Sequence, residues 1–199
     1  MDSLEKLVLE LCKFSNETQW VEFKHDNYNP DMIGKDISAL ANGAALCDKS
    51  RAYMLWGIDD KTHEIIGTNH NLQTLKKGNQ ELENWLRCLL SNNADFEFHT
   101  VNVNNLSVGL LIIYKAVNQT VMFDKVDYIR IGSYTKKLSD HPQVMGQLWD
   151  KLRSGRFEEE IAKNDLTLTE ALDLLNYSSY FELLKNRFLQ IMKNRILSA

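Results

Sequence analysis

Arg51-Ala52-Tyr53-Met54-Leu55-Trp56-Gly57-Ile58 is too apolar along its length to be a strand with one wet face. Its side chains do not alternate cleanly, so it reads as a strand covered on both sides. Gly57, Asp59, Asp60 and Lys61 then mark a turn, and Glu64-Ile65-Ile66 a short return strand that makes a hairpin. A strand buried on both faces needs a layer on each side. The flanking sequence supplies candidates.

Upstream, Leu4, Leu7, Leu11 and Phe14 recur at helical spacing, and Trp20-Val21-Glu22-Phe23-Lys24 alternates as a strand. A helix is expected to begin near Asp31 after Pro30, burying Ile33, Ile37, Leu40, Ala41 and Ala44. Downstream, Leu72, Leu75, Leu82, Trp85, Leu86 and Leu89 fall close to one face of a third helix. Strands are expected at 95–103, 107–116 and 126–131. In the first of these, Phe96 and Phe98 hold one phase and Val101 and Val103 the other, which predicts a bulge near His99-Thr100. A fourth helix is expected over about 141–153, ending at Ser154-Gly155. From Phe157 onward only helical spacing remains, as in Leu166, Ala171, Leu174 and Phe181, Leu184, Phe188. The expectation is an α+β domain over 1–155, with a mixed sheet flanked by helices, followed by a helical C-terminal extension over 156–199.

The totals narrow the function classes. Three cysteines, Cys12, Cys47 and Cys88, are widely spaced and lack a C-x-x-C pair, which argues against a disulfide framework or zinc finger. No histidine pair has H-x-x-x-H spacing, which argues against a zinc hydrolase. There is no phosphate loop and no dinucleotide fingerprint. The start, Met1-Asp2-Ser3-Leu4-Glu5-Lys6, fits no signal peptide, and no apolar run reaches membrane-spanning length, so the cytoplasm is expected and no membrane partner. Net charge is −4, which weighs mildly against a nucleic-acid partner unless basic groups are gathered locally. Tyr128-Ile-Arg-Ile-Gly-Ser-Tyr-Thr-Lys136-Lys137 is one such place.

Four ordered motifs carry the candidate chemistry: Glu17-x4-Glu22-Phe23-Lys24; Asp36-Ile37-x-Ala39-Leu40-Ala41-Asn42; Gly57-Ile58-Asp59-Asp60 with Ile66-Gly67; and Tyr128-Ile129-Arg130-Ile131-Gly132-Ser133. Taken singly, each reads as solvated acids at strand ends or as ordinary packing. Together, from about Glu17 to Trp149, they resemble the Schlafen-type AlbA-like domain, in its bacterial branch. The resemblance implies a domain that binds RNA or DNA, commonly the first part of a longer regulator or divergent ATPase. In Schlafen proteins the domain is the core of an endoribonuclease whose two glutamates and one aspartate hold metal. By motif position those acids fall on Glu17, Glu22 and Asp59 or Asp60, with Asp59 preferred because it directly follows Gly57-Ile58.

A magnesium or manganese ion would suit such hard oxygen donors and would assist phosphodiester cleavage. Glu17 and Glu22, five apart, would face opposite sides of a straight strand, so convergence requires Glu17 to lie in the turn before it. Lys24, Arg130, Lys136 and Lys137 are candidates for phosphate contacts, with plain ion pairs the alternative for Lys24 and Arg130. Trp20, between the two glutamates, is a candidate for stacking on a base, whereas Trp56 and Trp85 read as core. The sequence departs from the family where a paired glycine usually follows the helix asparagine: here it is Asn42-Gly43-Ala44-Ala45, which puts a backbone contact to phosphate there in question. Schlafen nucleases join two such lobes, so a complete groove here would need a homodimer or a partner. Three functions therefore stand open: a nucleic-acid-binding regulatory protein, a metal-dependent endoribonuclease, and a non-catalytic oligomerisation module.

Overall fold

The computed structural model describes residues 3–14, 17–60 and 62–159, with side chains up to Arg153. In chain order the elements are α1 (Ser3–Leu11), β1 (Val21–Lys24), α2 (Pro30–Leu46), β2 (Arg51–Trp56), β3 (Lys76–Lys77), β4 (Gln80–Glu81), α3 (Leu82–Leu89), β5 (Phe96–Val103), β6 (Leu106–Tyr114), β7 (Met122–Phe123), β8 (Val126–Ile131), β9 (Tyr134–Lys137) and α4 (Pro142–Glu159). The fold is α+β. Most of the expected extension, beyond Glu159, lies outside the described residues.

The central sheet has the order β1-β2-β6-β5. β1 runs parallel to β2, while β2–β6 and β6–β5 are antiparallel, so the sheet is mixed. β2 is covered on both faces, as its composition requires. Met54 and Trp56 enter one core with Ile33, Ile37 and Leu40 of α2, and Leu55 enters a second core with Val8 and Leu11 of α1. A smaller sheet, β7-β8-β9, packs on the outer side of α2. Pro30 occupies the first turn of α2, and Asn29 caps it, accepting a hydrogen bond from the Met32 amide at 3.1 Å.

Several local expectations are corrected. β5 has no bulge, since it pairs with β6 one residue to one residue from Phe96–Ile113 to Val103–Leu106. Its change of phase has another cause: Phe96 and Phe98 face the α2-side core and Val101 and Val103 the α1-side core. The expected third helix is three elements: a short 3-10 turn at Leu72–Thr74, the β3–β4 hairpin, and α3. Gly78 breaks it, with φ +62° at the tip of that hairpin. The return strand after Asp59-Asp60 is a single bridge, Ile58 to Ile65. Finally, α4 runs through Ser154-Gly155 to Glu159.

Candidate nucleic-acid interface

β1 is an edge strand, and Glu22 and Lys24 pair with Met54 and Trp56. Those partners belong to the α2-side core, so both charged side chains point into that layer instead of toward solvent. Charges placed there need partners. Arg130 on β8 is 1% exposed and lies between two carboxylates: Nη2 donates to Glu17 Oε2 at 2.9 Å, and Nη1 pairs with Glu22 Oε2. Lys24 pairs with Glu22 and reaches Asp36 Oδ2 at 3.3 Å. Thr135 Oγ1 closes the chain by donating to Asp36 Oδ1 at 2.6 Å. One line of groups, Glu17–Arg130–Glu22–Lys24–Asp36–Thr135, thus joins β1, α2, β8 and β9.

Glu17 and Glu22 converge because Glu17 sits off the strand. The Thr18 amide donates back to the Val21 carbonyl at 3.2 Å, and the Phe23 amide donates to Glu17 Oε1 at 3.2 Å. Burial raises the Glu22 carboxyl to about 7, outweighing the opposing pull of Arg130 and then Lys24. Burial pulls the Lys24 ammonium down, but Asp36 and Glu22 together outweigh it and leave its pKa raised.

As arranged, these acids do not fit a divalent ion. The space between Glu17 and Glu22 is taken by the Arg130 guanidinium. The Asp59 carboxylate accepts from the Thr62 amide at 2.8 Å and from Thr62 Oγ1 at 3.1 Å, closing the turn after β2, and Asp60 is exposed. Among the described residues no three of His, Cys, Asp and Glu are grouped so as to hold a metal. The aspartates of the turn therefore do not join the glutamates in one metal-binding group.

The remaining candidates divide. Arg130, for which a phosphate contact and an ion pair stood open, makes the ion pair. Lys24 is likewise committed inside. Trp20 is half-buried against Phe14 and Tyr53, with Lys49 over its ring at 5.2 Å. Lys136 and Lys137 are exposed. They line a cleft of about 500 Å³ between the N-terminal half of α2 and β9, together with Lys35, Asp36, Tyr128 and Thr135. Lys35, Lys136 and Lys137 have no ion-pair partner among the described residues, whereas Lys77 is paired with Asp31 at 2.7 Å and Lys151 with Asp48. Two acids also line the cleft: Asp36, which is buried and pairs with Lys24, and Asp140, which is exposed. Sequence reasoning missed Lys35 and gave Asp36 no role beyond its place in the helix motif, because their importance rests on β9, about a hundred residues away in the chain.

A family model described as Schlafen, AlbA_2 matches residues 17–139, more than half of the chain and including all four motifs. The chain belongs to this family. A solved structure, the DIP2311 protein from Corynebacterium diphtheriae, is similar at 19% identity and a TM-score of 0.42, over 66% of this chain and 28% of that one. The chain thus spans well under half the length of that protein. No curated protein matches it.

Within this AlbA_2 domain the helix motif does structural work. Asn42, fully buried, donates from Nδ2 to the carbonyls of Val121 and Tyr128, each at 2.9 Å, and accepts from the Val121 amide at 2.8 Å. Ser38 Oγ donates to the Val121 carbonyl at 2.6 Å and accepts from the Tyr128 amide at 3.1 Å. The two side chains fasten β7 and β8 to α2. Gly43 serves a close approach of a different kind from the one a family glycine suggested: a Cβ there would collide with the Gln19 carbonyl oxygen, in the turn that carries Glu17.

Proposed function

We propose that this AlbA_2 domain is a nucleic-acid-binding module that grips the phosphate backbone along the cleft between α2 and β9, in a regulatory rather than a cutting role. One observation carries the reading: Lys35, Lys136 and Lys137, which form no salt bridge among the described residues, outnumber the acids Asp36 and Asp140 at one cleft, in a protein of net charge −4. Unpaired ammonium groups at a concave surface give up little to bind a polyanion, and they release its counterions when they do. The Glu17–Arg130–Glu22 bridge supports the non-cutting role, since it uses both glutamates to hold β8 in place.

The test is titration of a fluorescent oligonucleotide, RNA and DNA in turn, at low and moderate salt. Binding is expected to weaken steeply with salt, and the K35A/K136A/K137A variant is expected to lose most of its affinity while keeping its circular dichroism. Affinity indifferent to salt, or unchanged in the triple variant, would overturn the reading. In the same mixtures with manganese the oligonucleotide should stay intact. Cuts that vanish in Glu22→Ala would replace the binding role with a carboxylate mechanism.

A further inference from the structure

The β8–β9 hairpin carries one feature that phosphate binding does not use. Tyr134, at the start of β9, is 68% exposed, the largest value among the exposed large hydrophobic side chains of the described residues. It lies next to the hairpin turn Gly132-Ser133, where Gly132 has φ +60° and open space around it. The Lys136 ammonium sits 5.5 Å from the ring centroid. Among the described residues no other aromatic ring packs on Tyr134, in contrast to Tyr28, stacked on Trp56, and Trp85, tilted against Phe123. A single exposed aromatic ring is ordinary on a protein surface, so it is the setting of Tyr134 that carries information. Beside a lysine-lined cleft, it has the composition of a stacking platform for a base whose phosphates lie on the lysines.

We infer that the domain selects unpaired nucleotides, the base stacking on Tyr134 while the adjoining phosphates sit against Lys35, Lys136 and Lys137. This rests on the nucleic-acid reading above and adds its substrate class: single-stranded segments, loops or frayed ends. Double-helical nucleic acid offers the same phosphates but keeps its base faces inside the stack, so it can satisfy the lysines and not the tyrosine. Lys136 serves both parts, its ammonium meeting a phosphate while staying within cation–π reach of one face of the Tyr134 ring.

The experiment compares a labelled 12-nucleotide single strand with the same sequence annealed into a duplex, at one salt concentration, for the wild-type chain, Tyr134→Ala, Tyr134→Trp and K136A/K137A. The wild type is expected to bind the single strand about tenfold or more tighter than the duplex, as one stacked base commonly provides. Tyr134→Ala should lose that preference while keeping its duplex affinity, and Tyr134→Trp should retain it. K136A/K137A should weaken both ligands. Equal affinity of the wild type for the two, or an equal loss for both in Tyr134→Ala, overturns the single-strand inference and leaves phosphate binding standing. No binding of either ligand overturns the nucleic-acid reading itself.

Discussion

At the scale of the residue, Glu22 shows how burial sets a protonation state. The carboxyl is 4% exposed on the inward face of an edge strand, and its pKa rises from 4.5 to about 7 even with Arg130 and Lys24 beside it. The folded chain therefore holds a proton there that the unfolded chain releases from about pH 4.5 upward. Between those two values the native state binds more protons than the unfolded state, so this group's contribution to stability is complete below about pH 4.5 and is lost as pH rises through about 7. Glutamine at this position cannot titrate. Denaturant unfolding from pH 4.5 to 8 should show the wild type losing stability relative to Glu22→Gln as pH rises. A difference between the two proteins that stays flat with pH, or grows in favour of the wild type, would contradict burial as the dominant influence.

At the scale of the element, α2 joins the central sheet to the β7–β8 strands, and Asn42 is its main fastening. Removing its side chain leaves the Val121 amide and the Tyr128 carbonyl short of a partner in a buried setting, and leaves the Val121 carbonyl with Ser38 alone. Each orphaned group costs about 1–3 kcal/mol. Asn42→Ala is expected to lower stability by about 3 kcal/mol or more, measured by urea unfolding; Asn42→Asp, which keeps the acceptor and loses the two donated bonds, should not restore it. A loss under about 1 kcal/mol would show that β7 and β8 hold without the clamp. The same element shows what local pattern could and could not disclose. The apolar stripe of α2 and the two-faced burial of β2 were legible, because periodicity and composition are properties of a single segment. The convergence of Glu17 and Glu22 was legible as a condition, that Glu17 leave the strand, and the turn at Thr18–Val21 meets it. The role of Asn42 was not legible, because its partners lie 79 and 86 residues further along the chain. Nor was the division of the third helix: Leu72, Leu75 and Leu82 keep helical spacing by accident, since the 3-10 turn and α3 both send leucines into one core.

At the scale of the whole molecule, the proposed function requires an acidic chain to hold a polyanion, and separation of charge would allow it. The three cleft lysines lie by α2 and β9, on the α2 side of the central sheet. Glu97, by contrast, pairs with Ile112, which belongs to the α1-side core, so its carboxylate is on the opposite face, bonded to Tyr114 and His99. Charges further apart than about 8 Å are largely screened at physiological ionic strength. Acids across the sheet therefore leave the cleft's potential nearly untouched, and local charge decides the outcome. Each lysine that neutralises a phosphate of a single strand adds about 0.7 to the steepness of log affinity against log salt. Plotting that slope for the wild type and for K35A/K136A/K137A should show it reduced by about 2. Glu97→Gln should reproduce the wild-type line within about twofold in affinity at moderate salt. If Glu97→Gln strengthened binding by about a third of what the triple lysine variant loses, in proportion to the one charge it removes, net charge rather than the cleft would govern association. The three lysines would then be ordinary surface groups.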